Sequence, residues 1–217
     1  MKITDTTTEA VILANGDYPT ARVPLDILST APFVVCCDGG ANSYIEQGHT
    51  PDIIIGDGDS LRPEYARKFA QIVTKVSEQE SNDQTKAINY LLAKGKRNIA
   101  IVGATGKRED HTIGNISLLM EYARSYDLDA MGITLEMVSD YSTIFAITDT
   151  CEMECGEGRK VSIFSPDNSL RIKSEGLEWP TDGVVFDNWW KATLNRASQD
   201  KVRLELSHRS IALIMLN

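Results

Sequence analysis

Pro51-Asp-Ile-Ile-Ile-Gly-Asp-Gly-Asp-Ser60 is the stretch that decides the fold. Its first half is a continuous apolar run, the pattern of a strand covered on both faces as in a parallel sheet. Its second half ends in Asp57 and Asp59, one glycine apart. Two carboxylates about 5 Å apart at an effective dielectric of about 20 repel by roughly 3 kcal/mol, which raises one pKa or calls for a counter-cation. In extended chain, residues two apart point the same way, so both acids can face one divalent ion. A tight turn that leaves both acids in water is the competing reading. An EF-hand is excluded, because Leu61 and Arg62 stand where an oxygen ligand and a glycine are required. So few hard oxygen ligands suit Mg²⁺ holding a polyphosphate better than a closed calcium cage.

Outward from this stretch, further apolar runs at 10–14, 33–37, 71–76, 98–102 and 133–138 join the one at 52–55. Between them, 81–94 and 111–124 carry apolar residues at helical spacing, with Asn82 and Thr112 as expected caps. Strands alternating with helices predict an α/β fold with a Rossmann-like parallel sheet. After about residue 140 the texture changes to short β-rich segments at 160–165, 169–174, 201–206 and 210–216, separated by glycine-, proline- and asparagine-containing turns. The expected organisation is an α/β catalytic domain over 1–145 and a smaller all-β sandwich over 146–217. About 70 residues form a marginal core, so the second part is expected to lean on the first or on another copy of the chain.

The 217 residues are 42% apolar and carry a net charge of −9, with a pI near 4.9. That balance argues against nucleic acid and anionic membranes as partners, since binding to either is driven by basic neutralisation of phosphates. It is compatible with a cationic small substrate. No apolar run approaches the roughly 20 residues of a membrane span, and the first residues lack the basic and apolar regions of a signal peptide, so the expected location is cytoplasmic. Cys36, Cys37, Cys151 and Cys155 lack zinc-site spacing and read as reduced packing residues, and His49, His111 and His208 are scattered.

Polar blocks follow the apolar runs: Asp38-Gly-Gly-Ala-Asn42 after the second, Gly56-Asp-Gly-Asp-Ser60 after the third, and Gly103-Ala-Thr-Gly-Lys-Arg-Glu-Asp-His111 after the fifth. In an open parallel sheet the carboxyl ends of the strands share one edge, so the blocks converge on a crevice. Gly103-Ala-Thr-Gly-Lys107 is not a Walker loop, having two residues where four are needed and Arg108 where Ser or Thr is needed. It remains a glycine-rich turn at a helix start, able to cradle an anion beside Lys107 and Arg108. Gly39 and Gly40 permit close backbone approach to a ligand. Asp83 opens a helix, where the macrodipole favours an acid, and Lys86 three residues on can pair with it.

In this order the blocks resemble the thiamine pyrophosphokinase family. The matching stretches are Asp38-Gly-Gly-Ala-Asn42, Pro51-Asp52 with Gly56-Asp-Gly-Asp-Ser60, the segment bearing Gln79, Asp83 and Lys86, Gly106-Lys-Arg-Glu-Asp-His111 with Asn115, and Gly176-Leu-Glu-Trp-Pro180. The resemblance implies an N-terminal α/β catalytic domain, a C-terminal β-sandwich that helps bind thiamine, a homodimer with sites formed between subunits, Mg²⁺ and ATP. It makes Asp57, Asp59 and Asp83 the acidic metal and pyrophosphate site, and gives the nucleotide and its phosphates to Arg108, Asp110 and His111, with Lys107, Gly39 and Gly40 beside them. It places Asp38 and Gln79 close to the transferred group or to thiamine; Asn195 and Trp190 are the further candidates for binding the substrate. Two positions depart from the family pattern: Thr193-Leu-Asn195 stands where Ser-Asn is usual, and Asn82 where a threonine is usual. Trp189 and Trp190, if on a strand, point to opposite faces, leaving one for the core and one to stack on a cationic ring.

The implied reaction is transfer of a pyrophosphoryl group from ATP to the hydroxyl of thiamine, giving thiamine diphosphate and AMP, with Asp59 or Asp83 as the base. An Asp-x-Asp pair after a glycine-rich turn also suits a metal-dependent nucleotidyltransferase, and a non-catalytic module binding thiamine or nucleotide is a further alternative.

Overall fold

The computed structural model describes residues 7–75 and 81–217. Residue contacts divide the chain into two compact units, one of Thr8–Leu118 with Asp129–Tyr141, the other built mainly from Leu119–Leu128 with Ser142–Asn217.

The first unit is a doubly wound α/β array. Its elements are β1 (Ala10–Leu13), α1 (Arg22–Thr30), β2 (Val34–Cys37), α2 (Gly40–Glu46), β3 (Ile53–Gly56), α3 (Pro63–Lys68), β4 (Val73–Lys75), α4 (Asp83–Ala93), β5 (Asn98–Val102), the start of α5 (Glu109–Ser125), and β6 (Thr134–Val138). The six strands are parallel, in the order β6-β5-β1-β2-β3-β4. Every residue of β1, β2 and β3 is buried, as continuous apolar strands require when helices cover both faces. The chain lays β2, β3 and β4 to one side of β1 and then β5 and β6 to the other, so the order reverses between β1 and β5. Loops diverge at such a switch point and leave a crevice at the carboxyl edge.

Register sets what meets there. Cys37 pairs with Ile55, and the Asp38 amide donates to the Ile55 carbonyl at 2.9 Å, so Asp38 and the end of β3 lie side by side. The Asn82 side chain caps α4, accepting the Thr85 amide at 2.9 Å. Thr112, expected as a cap, lies inside α5, whose first turn begins at Glu109 and carries Glu109 and Asp110. Two acids at the positive end of the helix dipole stabilise this earlier start.

The second unit is antiparallel β: β7 (Thr143–Ile147), β8 (Cys151–Glu154), β9 (Lys160–Phe164), β10 (Ile172–Glu175), β11 (Asn195–Arg196), β12 (Lys201–Leu206) and β13 (Ala212–Leu216). Four of its strands run in the order β11-β9-β13-β7 and three in the order β10-β12-β8. In β12 Val202, Leu204 and Leu206 are buried and the residues between them exposed, the period-two pattern of a sheet with one wet face. They join Phe145, Ile163 and Ile214 from the other set of strands in one hydrophobic cluster, which makes this a sandwich. All four cysteines are free thiols, Cys36 and Cys37 buried in β2. Among the described residues no helix is long and apolar enough to cross a membrane.

Candidate active site

The blocks that follow β1, β2 and β5, together with the first turns of α4 and α5, line a crevice of about 440 Å³. One wall is acidic. Asp38 follows β2 in a left-handed backbone conformation, φ 34°, and its carboxylate is buried. One oxygen accepts the Ser60 amide at 2.7 Å. The other is buried with no hydrogen-bond partner among the described residues. Burial pushes the carboxyl above its ordinary value, and the charges of Asp83 and Asp57 add to this against the Ser60 bond. Gly56 is the reason these acids can meet: a Cβ there would stand 2.7 Å from the Asp38 Cβ and 3.0 Å from Asp83 Oδ2.

Asp83 is the first residue of α4 and lines the crevice. Its Oδ1 pairs with the Lys86 ammonium at 3.3 Å. The Lys86 side chain is only 7% exposed, so this lysine is committed to the acid wall rather than to solvent. Asp57 and Asp59 sit in a turn, not in extended chain. Gly58 takes φ 90° and Asp57 Oδ1 accepts the Asp59 amide at 3.1 Å, the Asx-turn geometry that short acids favour. Asp57 and Asp59 are both exposed. Extended geometry therefore does not align the pair, and among the described residues no three His, Cys, Asp or Glu side chains form a ready metal cage. Gln79 lies outside the described residues.

The opposite wall is basic. Lys107, at φ 56°, donates from Nζ to the Asn15 carbonyl at 3.1 Å and to its side-chain oxygen at 3.3 Å. Arg108 grips Asp110 through two bonds, Nε to Oδ1 at 3.1 Å and Nη2 to Oδ2 at 2.5 Å. The paired hydrogen bonds hold the guanidinium above its ordinary value and the carboxyl below its own. Both side chains are exposed, so the clamp can release to a stronger anion. His111 and Asn115 follow on the crevice face of α5, and the Asn115 amide donates to the Ala104 carbonyl at 2.8 Å, fixing the glycine turn to the helix.

The two glycines after Asp38 serve packing. A Cβ on Gly40 would stand 2.7 Å from the Leu13 and Ala14 carbonyls, and one on Gly39 2.4 Å from the Asn15 amide nitrogen. Neither lines the crevice, whereas Asn15 does. Asn15 and its neighbours Gly16 and Asp17 form a polar block after an apolar strand, the same signal that the other three blocks carry, although none of them is among the expected site residues. Gln84, buried beside Asp83, was also not foreseen; its amide donates to the Asn115 carbonyl at 3.4 Å.

In the second unit, residues 179–181, Val184 and residues 191–195 enclose a separate cavity of about 270 Å³. Asn195 is buried there. Its side chain donates to the Trp179 carbonyl at 2.6 Å and accepts the Trp179 and Arg196 amides at 3.2 and 2.8 Å. The residue thus pins the Trp179 block to β11. Trp189 and Trp190 lie in a turn rather than a strand, so the expected division into core and available faces does not arise. Trp189 meets Phe164 edge-on at 6.1 Å, while Trp190 is 69% exposed. Leu194 takes φ 59° and is also exposed, its amide donating to the Ser162 hydroxyl at 3.1 Å.

The sequence model described as thiamin pyrophosphokinase, catalytic domain, matches residues 25–130, and that described as thiamin pyrophosphokinase, substrate-binding domain, matches 143–212. Thiamine pyrophosphokinase 1 of Oryza sativa subsp. japonica is 28% identical over 229 residues, covering 90% of this chain and 82% of the relative. Thiamine pyrophosphokinase 3 of the same plant is 34% identical over 135 residues, about half of each chain (51% and 50%). The crystal structure of thiamine pyrophosphokinase from Bacillus subtilis superposes with a TM-score of 0.77, covering 96% of this chain and 98% of that one; at 18% identity this likeness shows the fold.

Proposed function

Since the chain belongs to the thiamin pyrophosphokinase family, we propose that it transfers the terminal pyrophosphoryl group of ATP to the hydroxyl of thiamine, giving thiamine diphosphate and AMP. The observation that carries this reading is the polarity of the crevice. Asp38 and Asp83 form one wall and Lys107 with Arg108 the other, across a cavity of about 440 Å³ at the switch point of the sheet.

An acid wall suits a divalent cation. The Asp38 oxygen without a donor and the carboxylates of Asp83, Asp57 and Asp59 are hard oxygen ligands, the kind Mg²⁺ takes. Mg²⁺ is characteristically held by one or two carboxylates together with substrate phosphates, so an incomplete protein cage is what an ATP-dependent site needs. In this reading Asp57, Asp59 and Asp83 hold the metal. When bound, Mg²⁺ neutralises phosphate charge and lowers the barrier to attack.

The chain's own groups do the rest. Arg108, released from Asp110, and Lys107 meet the phosphates and offset the charge that gathers as the bond between the α–β bridging oxygen and the β-phosphorus breaks. The thiamine hydroxyl oxygen forms the new bond to the β-phosphorus, AMP leaves with the bridging oxygen, and the hydroxyl proton passes to Asp59 or Asp83. Lys86 holds the Asp83 carboxylate in place. We assign the second unit to thiamine and to pairing with a second copy. The support is an exposed apolar set, Trp179, Val185, Trp190 and Leu194, of the composition that marks interaction surfaces.

The test is product analysis after incubation with ATP, thiamine and Mg²⁺. Thiamine diphosphate and AMP in equal amounts are expected. Free pyrophosphate as the product indicates a nucleotidyltransferase instead, and ligand binding without AMP formation indicates a non-catalytic module.

A further inference from the structure

Lys75, the last residue of β4, pairs in register with Gly56, the glycine whose missing Cβ lets Asp38 and Asp83 approach. β4 ends the strand order, so the lysine side chain can reach over the turn that follows β3. A Cβ placed on Gly58 would meet Lys75 Cε at 3.5 Å and Nζ at 3.7 Å. The ammonium therefore stands over the middle of the Asp57-Gly58-Asp59 turn.

Other cations near the acids are committed elsewhere. Lys86 pairs with Asp83 at 3.3 Å, and Arg62, just after the turn, pairs with Glu46. Lys107 and Arg108 belong to the opposite wall, held by Asn15 and Asp110. Lys75 is exposed, and among the described residues its ammonium makes no ion pair or hydrogen bond, even with the two acids it overhangs. A lysine ammonium is a compact point charge on a flexible stem, so it answers to the net charge of whatever enters the turn.

The sign of that response depends on the ligand. A unit charge about 6 Å from a divalent cation lowers its affinity about tenfold at low salt, and about threefold at physiological ionic strength, where the Debye length is about 8 Å. A magnesium–triphosphate complex is net negative, so the same charge favours it by a comparable factor. We propose that Lys75 sets the ligand preference of the acidic turn, opposing a bare divalent cation and favouring the cation that arrives with a polyphosphate. This rests on the reading of Asp57 and Asp59 as metal ligands. Without that charge the acids would take up free Mg²⁺ whether or not nucleotide is present; with it, metal and phosphates are held together or only weakly.

The experiment titrates the full chain and its Lys75→Gln and Lys75→Arg variants with two ligands. One is Mn²⁺ alone, read by electron paramagnetic resonance; the other is α,β-methylene-ATP premixed with Mg²⁺ in equal amounts, read by calorimetry. Lys75→Gln is expected to bind Mn²⁺ about threefold to tenfold more tightly and the magnesium–analogue complex more weakly by a similar factor. Lys75→Arg keeps the charge and should match the wild type in both titrations. Lys75 is exposed, so both variants are expected to melt with the wild type. A residue that merely shaped the turn would weaken both ligands together. Shifts of the same sign, or no shift in either titration, overturn the role of Lys75 even when thiamine diphosphate and AMP form normally. Mn²⁺ binding that Asp57→Asn leaves unchanged removes the turn from the metal site and overturns the proposal with it. Opposite shifts without AMP formation leave Lys75 in its role and overturn the proposed reaction instead.

Discussion

The Asp38 carboxylate accepts the Ser60 amide at 2.7 Å, so the residue that follows β2 fastens the acidic turn that follows β3. Asn42 reinforces the same junction, its amide donating to the Ser60 carbonyl at 2.8 Å and its side-chain oxygen accepting the Arg62 amide at 3.0 Å. Asp57 and Asp59 thus owe their position to the neighbouring strand as much as to their own, and Asp38 serves as both anchor and buried charge.

That double role separates stability from activity. The Asp38 carboxyl is raised from its ordinary 3.8 by burial, so the native state binds this proton more readily than the unfolded chain does. At a pH well below 3.8 both states are protonated. As pH rises through the raised native value the fold acquires a buried charge and loses stability relative to the unfolded chain. Asp38→Asn keeps an acceptor for Ser60 and removes the charge. In metal-free buffer it is expected to melt above the wild type at neutral pH, with the gap closing as pH falls towards the ordinary carboxylate range, and to lose turnover. A lower melting temperature at neutral pH sinks this account.

Replacing Asp57 or Asp59 by Asn tests the cation side. An amide at position 57 would retain a side-chain oxygen to accept the Asp59 amide, so the turn should survive and the melting temperature should stay near that of the wild type. Turnover is expected to fall about 100-fold or more, the scale set by losing an electrostatic contact made in the transition state. Near-normal turnover in either variant removes these acids from the metal site.

Much of this was legible because buried parallel strands are written as continuous apolar runs. Those at 98–102 and 33–37 could hardly be read otherwise, and Asn82 announced its helix by residue type alone. What stayed hidden depends on hydrogen bonds and contacts that no apolar pattern records. The left-handed turn at Gly58 replaced the extended geometry expected for Asp57 and Asp59, because a local hydrogen bond competes with strand continuation. Gly39 and Gly40 looked like ligand-facing glycines, yet what they admit is the β1 backbone and Asn15. Two-residue β11 has no periodicity to read, and β7 and β8 fall where the texture changes.

Arg108 lies across the crevice from the acids and is exposed, with Asp110 as its partner. Arg108→Ala is expected to raise the KM for ATP about tenfold or more, since a charge-assisted contact to phosphate is removed, while thiamine affinity measured by calorimetry stays as in the wild type. A fall in thiamine affinity with the KM for ATP unchanged places the nucleotide elsewhere.

Asn82 couples a helix cap to the acid wall. Its side chain accepts the Thr85 amide at 2.9 Å, and the next residue, Asp83, is the first of α4. Asn82→Ala removes the cap and is expected to destabilise the protein by about 0.5–2 kcal/mol in urea titrations. Fraying of that first turn also frees Asp83 from its place beside Gly56 and Lys86, so kcat is expected to fall at temperatures where the variant is fully folded. Asn82→Thr and Asn82→Asp restore a capping oxygen and should recover both properties together. If Asn82→Ala loses stability while keeping kcat, Asp83 is positioned by its ion pair with Lys86 at 3.3 Å and not by the cap.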